Sequence, residues 1–392
     1  MPTMMLSHKI RLKPTKAQAG CLSRACGVAR FVYNWALAEW KKEYEAGGKP
    51  SGNKLSAKFN SVYKTEYPWV ADVHRDCHSR PFLNLQLAFA KFWRGETKYP
   101  RFKCKGKAKD SFYVANDQFK IDGNSIRLPR IGWVKMRESL RFEGKIQKAV
   151  ISRTADHWYA SITVEGGFEK MRTKNEVVGV DIGISTAVMI SDGTHHKAPK
   201  PLKAMQKRYK RKSRELSRKV KGSANHQKAR MRLARISERI ANVRMDFWHK
   251  VTTKLCRENQ AVGIEDLNIV GWFRNAKLSR ALLDVSVGRF RPMLAYKAEL
   301  FGTKVVVHDR FYPSSKTCSA CGQIRESLPW SKRTFNCECG LCIDRDLNAA
   351  LNLRPTTAGS AGDYACGPEG SVHRRETKKK PRRVEAGITA KA

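Results

Sequence analysis

No stretch of eighteen consecutive apolar residues occurs in this chain, and its amino terminus, MPTMMLSHKIRLK, carries no apolar core of secretory length. The first absence argues against a membrane-spanning helix and the second against an export signal. There is no lipidation motif, no amphipathic anchor and no internal repeat, so a membrane surface and a solenoid are both poor readings. A cytosolic protein is expected. Acid is also scarce: 35 Asp and Glu stand against 77 Lys and Arg, giving a net charge of +42 and a pI near 10.1. That excess goes far beyond what solubility requires and calls for a polyanionic partner. Aromatic residues interleave with the basic ones, which favours nucleic acid over lipid. The 392 residues, 41% of them hydrophobic, suffice for two or three domains with real cores. In a reducing compartment the eleven cysteines argue for a metal site among Cys318 to Cys342 rather than a disulfide frame. The scattered ones, Cys21, Cys26, Cys77, Cys104, Cys256 and Cys366, read as packing residues.

Leu6, Ile10 and Leu12 alternate with Lys9 and Arg11, the pattern of a strand with one basic, wet face. Thr15 and Gln18 then have capping-box spacing, and Leu22, Val28, Phe31, Val32, Trp35 and Ala36 fall at helical intervals up to Gly47 and Gly48. Further helices are expected as far as Trp93. From Tyr99 the texture becomes YPRFKCKGKAKDSFYV, followed by strand signals at 125–128, 132–136, 145–153 and 158–165. A small β-barrel that takes in the amino-terminal strand, with the helices as an insertion, is the economical reading. Between Lys200 and Arg244, seventeen Lys and Arg face only Glu215 and Glu238, too one-sided for mutual pairing. Two helices broken near Gly222-Ser223 are expected there, with Leu216, Val220, Met231, Leu233, Ile236, Ile240 and Val243 as the packing side. Lys207, Arg208, Lys210, Arg211 and Lys212 in this hairpin, and Arg101, Lys103 and Lys105 in the aromatic-basic stretch, are the expected contacts to nucleic-acid backbone. After Cys366 the chain reads as a disordered basic tail.

Three acids stand apart from this basic background. Val177, Val178, Val180 and Ile182 form a β-branched run with Asp181 inside it, and a buried carboxylate is expensive unless it is paired or holds a metal. Gly179 and Gly183 leave room for close approach to the backbone, and Asp192-Gly193 supplies a hairpin turn after a second strand at 186–190. A satisfied Asp at a strand kink is the alternative for this segment alone. A second apolar run, Ala261 to Ile264, delivers Glu265 at its carboxyl end. The third acid, Asp346, lies in the first turn of a helix that Asp344 is placed to cap and Pro355 closes. If the three converge, divalent cations would have to neutralise them, as in a two-metal site that activates water and stabilises a leaving oxygen.

Between the second and third acids, Cys318-Ser-Ala-Cys321-Gly322 is followed by Cys337-Glu-Cys339-Gly340, the arrangement of a structural zinc ribbon. The second knuckle is CxC, and Cys342 competes for the fourth position. Cys318, Cys321, Cys337 and Cys339 are preferred because each knuckle then ends in Gly, which lets backbone turn round the metal.

The order GVDIG, basic helices, GIEDLNIVG, DRFYPSSKTCSACG, CECG, DRDLNAALN, with RLKPT at Arg11, ARFVYN at Ala29 and YPRFK at Tyr99, resembles the TnpB (OrfB) family of insertion-sequence nucleases nearly end to end. The resemblance implies an α/β fold: a RuvC-like nuclease domain with an RNase H-like mixed sheet and an inserted zinc ribbon, related to type V CRISPR effectors. It also implies that Asp181, Glu265 and Asp346 bind two catalytic magnesium ions, beside one structural zinc. The implied partners are a guide RNA from the transposon end and a double-stranded DNA target; a bacterial cytosolic, nucleoid-associated location is expected, and the oligomeric state stays open with a monomer favoured. On this reading residues 1–13 and 96–170 form the β-barrel (wedge) domain and 14–95 a helical recognition domain that holds guide RNA and reads a short motif beside the target. Residues 171–307 and 341–356 form the nuclease domain, 308–340 the zinc ribbon and 357–392 the tail. Three rival classes are a guided DNA-binding repressor without cleavage, a transposase or transposase accessory, and a structural RNA-binding protein with a zinc ribbon. The first has no use for all three acids, the second predicts strand-transfer products, and the third leaves Asp181 unexplained.

Overall fold

The computed structural model describes residues 3–167, 176–329 and 332–355; the expected basic tail at 357–392 lies outside them. The chain begins with β1 (Thr3–Lys13), in which His8, Ile10 and Leu12 point inward and Lys9 outward. Thr15 caps α1 (Lys16–Glu45): its hydroxyl accepts from the Gln18 amide while the Gln18 carboxamide accepts from Thr15 N–H at 3.0 Å. Gly47, at φ 79°, follows the helix end as the sequence suggests. Helices α2 (Gly52–Glu66) and α3 (Asp76–Trp93) complete a helical insertion between β1 and the next strands. These are β2 (Ser111–Ala115), β3 (Lys120–Asp122), β4 (Ser125–Leu128), β5 (Gly132–Met136), β6 (Lys145–Thr154) and β7 (His157–Gly167). They form one seven-stranded antiparallel sheet in the order β2-β6-β7-β1-β5-β4-β3, with β1 paired along its length to β7 and at its end to β5. Among the described residues no ladder joins β3 to β2, so the hydrogen bonding gives an open sheet where a closed barrel was expected. Ile10, Leu22, Val32, Phe59, Leu85, Val114 and Ile162 belong to a single buried cluster shared by this sheet and the helices.

A second, mixed sheet follows. It is built from β8 (Glu176–Asp181), β9 (Val188–Ile190) and β10 (His195–His196), then, after α4 (Pro201–Ser217) and α5 (Ala224–Glu258), from β11 (Asn259–Glu265). After α6 (Ile269–Trp272), α7 (Ala276–Val285) and α8 (Phe290–Phe301), β12 (Lys304–His308) completes it. The order is β10-β9-β8-β11-β12, with β8, β11 and β12 parallel and β9 antiparallel to β8. Its core contains Val180, Val188, Val262 and Ile264 packed under Trp248, Leu255 and Leu294. The short ladder β13 (Thr334–Asn336) to β14 (Cys342–Asp344) and the closing helix α9 (Arg345–Asn352) follow. Among the described residues no helix is long and apolar enough to cross a membrane.

Two expectations about the basic hairpin change. Ser223 does start the second helix, accepting from the His226 amide, but α5 runs on to Glu258 and enters the core of the mixed sheet through Trp248 and Leu255. Val220 is 78% exposed, in the connection rather than on a packing side, and α4 fully buries only Pro201. The helix lies on α5 and leaves its basic residues other than Lys212 in solvent. Farther along α5, buried Glu238 accepts from the Tyr159 hydroxyl at 2.7 Å and pairs with His157 Nδ1 at 2.8 Å, and Arg235 pairs with Asp156. These contacts tie the long helix to the start of β7. They also push the Tyr159 hydroxyl up to about 12, through burial first and the Glu238 carboxylate second.

Candidate active site and metal centre

Asp181 and Glu265 are the last residues of neighbouring parallel strands, whose register pairs Val180 with Ile264 and Gly179 with Gly263. Both carboxylates therefore emerge at the same carboxyl edge, where open α/β sheets collect ligands. Asp346 arrives from α9, which packs on β8 at Gly179, while the turn after the helix settles on Gly263 of β11. A Cβ on Gly179 would lie 2.0 Å from the Ala350 carbonyl oxygen, and one on Gly263 1.8 Å from that of Leu353. Only glycine lets the helix lie flush on the strands and bring its first turn over the acids. Asp344 caps α9, accepting from the amides of Asp346 at 2.8 Å and Leu347 at 3.2 Å, as its position in the sequence suggests.

The acids differ in their surroundings. Among the described residues no cation pairs with Asp181, whose carboxyl is pushed up to about 8 by burial first and then by the charges of Glu265 and Asp346. Glu265 accepts from the Ser314 hydroxyl, and Asp346 pairs with Arg333. Burial raises the Asp346 carboxyl, and the Arg333 charge opposes that shift. A sheet edge holding three hard oxygen donors, one of them making no ion pair among the described residues and offset only in part by the Arg345 charge, suits divalent cations chemically.

The thiols form the tighter group. Cys318, Cys321, Cys337 and Cys339 have all four sulfurs within 4.8 Å of one another, and among the described residues they are the only such group of three or more. Cys318 and Cys339 Sγ are 3.6 Å apart, Cys321 and Cys337 Sγ 3.5 Å. Those spacings fit the edges of a tetrahedron of zinc–sulfur bonds of about 2.3 Å. Cys342, the competitor, is instead on β14, paired with Asn336. Each knuckle turns as expected: Gly322 N–H donates to Cys318 O and Gly340 N–H to Cys337 O, with φ 78° and 91°.

Against known families, residues 157–276 match the OrfB_IS605 model, described as "Probable transposase", and residues 288–353 match a "Cas12f1-like, TNB domain". The chain is 35% identical to a Streptomyces pristinaespiralis protein named "Putative RNA-guided DNA endonuclease" over 99% of both chains. It is 31% identical to one from Escherichia coli (strain K12), "Putative RNA-guided DNA endonuclease InsQ", over 92% of this chain and 94% of that one. The chain belongs to the OrfB (TnpB) family. Its fold is also similar to that in "Cryo-EM structure of the Cas12f1-sgRNA-target DNA complex", with a TM-score of 0.52 at 12% identity over 90% of this chain and 98% of that one. A third model, "Helix-turn-helix domain", matches residues 1–49, yet those residues here form a strand followed by one uninterrupted 30-residue helix.

In this OrfB chain the basic residues separate by environment. Lys207, Arg208, Lys210 and Arg211 are exposed on α4, as are Arg101 and Lys105 before β2. Lys212 is turned inward: it pairs at 2.5 Å with Glu215, which also takes Arg232 at 3.0 Å. Lys103 sits over the Tyr33 ring at 3.6 Å, its backbone held in both directions by Asn34. Both are engaged within the protein. Sequence reading missed the residues that locate the acids: Gly263, Ser314, Arg333, and the pair Asn348 and Asn352. Asn348 accepts from Ser319 N–H and donates to Thr317 O, and Asn352 donates to Ser314 O and Thr317 O, tying α9 to the first knuckle. Their spacing of four in DRDLNAALN puts both on one helix face, a signal that was available.

Proposed function

We propose that this protein is an RNA-guided DNA endonuclease that hydrolyses phosphodiester bonds of target DNA beside a short motif, by a two-metal mechanism. The observation that supports it best is the gathering of Asp181, Glu265 and Asp346 at one sheet edge, where the Arg345 charge only partly offsets what burial and the other two acids impose on Asp181. A purely binding role gives that carboxylate no reason to persist. These three would hold two magnesium ions, which supply Lewis acidity and an activated water when bound. The chain's own residues keep the donors in place: Ser314 fixes Glu265, Arg333 balances the charge of Asp346, and the glycine contacts set the height of α9. Cys318, Cys321, Cys337 and Cys339 hold one zinc whose role is structural.

The mixed sheet with α9 is assigned to the RuvC-like nuclease domain, the thiolate segment to the zinc ribbon, and the antiparallel sheet with its helical insertion to the wedge and recognition domains. The partners are a guide RNA and a double-stranded DNA target, met by the exposed bases of α4 and of the segment before β2. Guide-programmed plasmid cleavage in magnesium, with and without chelator, tests the reading. Asp181→Ala and Asp346→Ala abolish cutting while target binding persists. Asp344→Ala costs about 1 kcal/mol of stability and leaves detectable cutting, because that carboxylate serves backbone amides. Cutting by Asp181→Ala at the wild-type rate, or cutting that survives the chelator, would falsify the assignment.

A further inference from the structure

Phe311 is 86% exposed, the most exposed of the large hydrophobic side chains among the described residues. An isolated surface phenylalanine needs no explanation in general, but this one is held outward on a pinned turn. Tyr312 N–H donates to Asp309 O at 3.1 Å and Phe311 N–H to Asp309 Oδ1 at 2.8 Å, closing a turn reinforced by its own Asp. On one side of Phe311, Arg310 bonds Asp266, the residue after Glu265, at 2.5 Å. On the other side, the Tyr312 ring stacks on His308 at 5.3 Å, and Ser314 bonds Glu265 itself. The backbone is thus fixed to the acid site before and after Phe311, and only its ring is left free.

The topology places that ring where substrate must pass. β12 is parallel to β11, with His308 paired to Glu265, so the turn leaves the sheet at the edge that carries the acids. Two guanidinium groups flank it: Arg310 and Arg291 both pair with Asp266 and both stay about half-exposed. An exposed ring beside half-exposed guanidinium groups has the chemistry of a nucleobase platform.

We infer that Phe311 is a base-stacking residue, which receives an unpaired base of the DNA strand and so holds the neighbouring phosphodiester at Asp181, Glu265 and Asp346. The inference rests on the nuclease reading above. Paired bases offer no free face, so the occupant is single-stranded DNA, and because every base has a π-face the contact is indifferent to sequence.

The test uses the guide-loaded full chain and target duplexes carrying one 2-aminopurine, moved position by position along the unwound strands. In an Asp181→Ala background, stacking is read as fluorescence quenching without chemistry, so loss of the stack and failure of the nuclease reading are separate results. Quenching at one position that disappears in Phe311→Ala and Phe311→Leu and persists in Phe311→Trp is expected. In chains that keep Asp181, single-turnover cleavage should fall about tenfold in the Ala and Leu variants, with target affinity unchanged, and recover in Trp. Quenching that is the same in all variants overturns the inference. A loss of cleavage shared by Trp, or accompanied by a lower melting temperature, assigns Phe311 to the integrity of the turn and overturns it too.

Discussion

Gly179→Ala and Gly263→Ala alter the acid site without touching an acid. A Cβ at Gly179 would stand 2.0 Å from Ala350 O and 2.5 Å from Arg354 N; at Gly263 it would stand 1.8 Å from Leu353 O. All three neighbours are backbone of α9 or of the turn after it, so no side-chain rotation relieves the clash. Real Cβ atoms essentially never come closer than 3.0 Å, which requires the helix to lift by at least 1.0 Å over Gly179 and 1.2 Å over Gly263, the differences between 3.0 and the distances above. Because α9 carries Asp346 in its first turn, the lift separates Asp346 from Asp181 and Glu265. A misplacement of about 1 Å costs roughly a hundredfold in rate. Overpacking adds about 1–3 kcal/mol of destabilisation. Gly20→Ala is the control: it lies within α1 with nothing within 4 Å of the added Cβ, and should be neutral or slightly stabilising. The assay is single-turnover cleavage of programmed plasmid, beside thermal melting and target binding. If Gly179→Ala cleaves within about threefold of wild type and melts at the wild-type temperature, the close approach does not set the site, and the placement of Asp346 needs another cause.

The thiols should bind about one zinc per chain, and a Cys318→Ser/Cys321→Ser double variant should lose it together with the fold of the ribbon; metal analysis showing equal zinc in both would refute the assignment. Neutralising Lys207, Lys210 and Arg211 should flatten the salt dependence of nucleic-acid binding by about one unit for each phosphate left without its cation, whereas Lys212→Gln, already paired with Glu215, should leave the slope unchanged. Glu238→Ala should cost about 2–3 kcal/mol, because it strips a charged acceptor from Tyr159 and His157; a melt unchanged from wild type would show that this link between α5 and β7 carries no stability.

How much was legible in the sequence depended on whether the cause was local. The Thr15 capping box, the Asp344 cap, the hairpin turn at Asp192-Gly193 and the glycines that close each knuckle depend on neighbours within a few residues, and each appears where its pattern suggests. The strands delivering Asp181 and Glu265 were legible as apolar runs because they pair in parallel at the centre of the mixed sheet. β2 and β3 were missed: β3 has only three residues, and a basic, aromatic stretch leads into β2. Gly179 was legible as a place of close approach, but the approaching group is a helix from the far end of the chain. Charge alone also misled. Lys103 and Lys212 look like their neighbours in sequence, and only the fold shows that a tyrosine ring and a glutamate already occupy them.

The ribbon's position in the chain has a mechanical consequence for the acids. It is inserted between β12 and α9, so the polypeptide must pass through the two cysteine knuckles before it can place Asp346. Asn348 and Asn352 then return from α9 to bond Thr317 and Ser319 beside the first knuckle, while Arg333, just before the second, reaches Asp346 itself. The four-cysteine cluster is therefore the base on which α9 stands, and Gly179 and Gly263 fix how closely that helix settles against the strands. A perturbation at either end moves the same carboxylate. Loss of the cluster should consequently abolish cleavage under conditions where the basic faces of α4 and of the segment before β2, which make no hydrogen bond to the ribbon among the described residues, still hold nucleic acid.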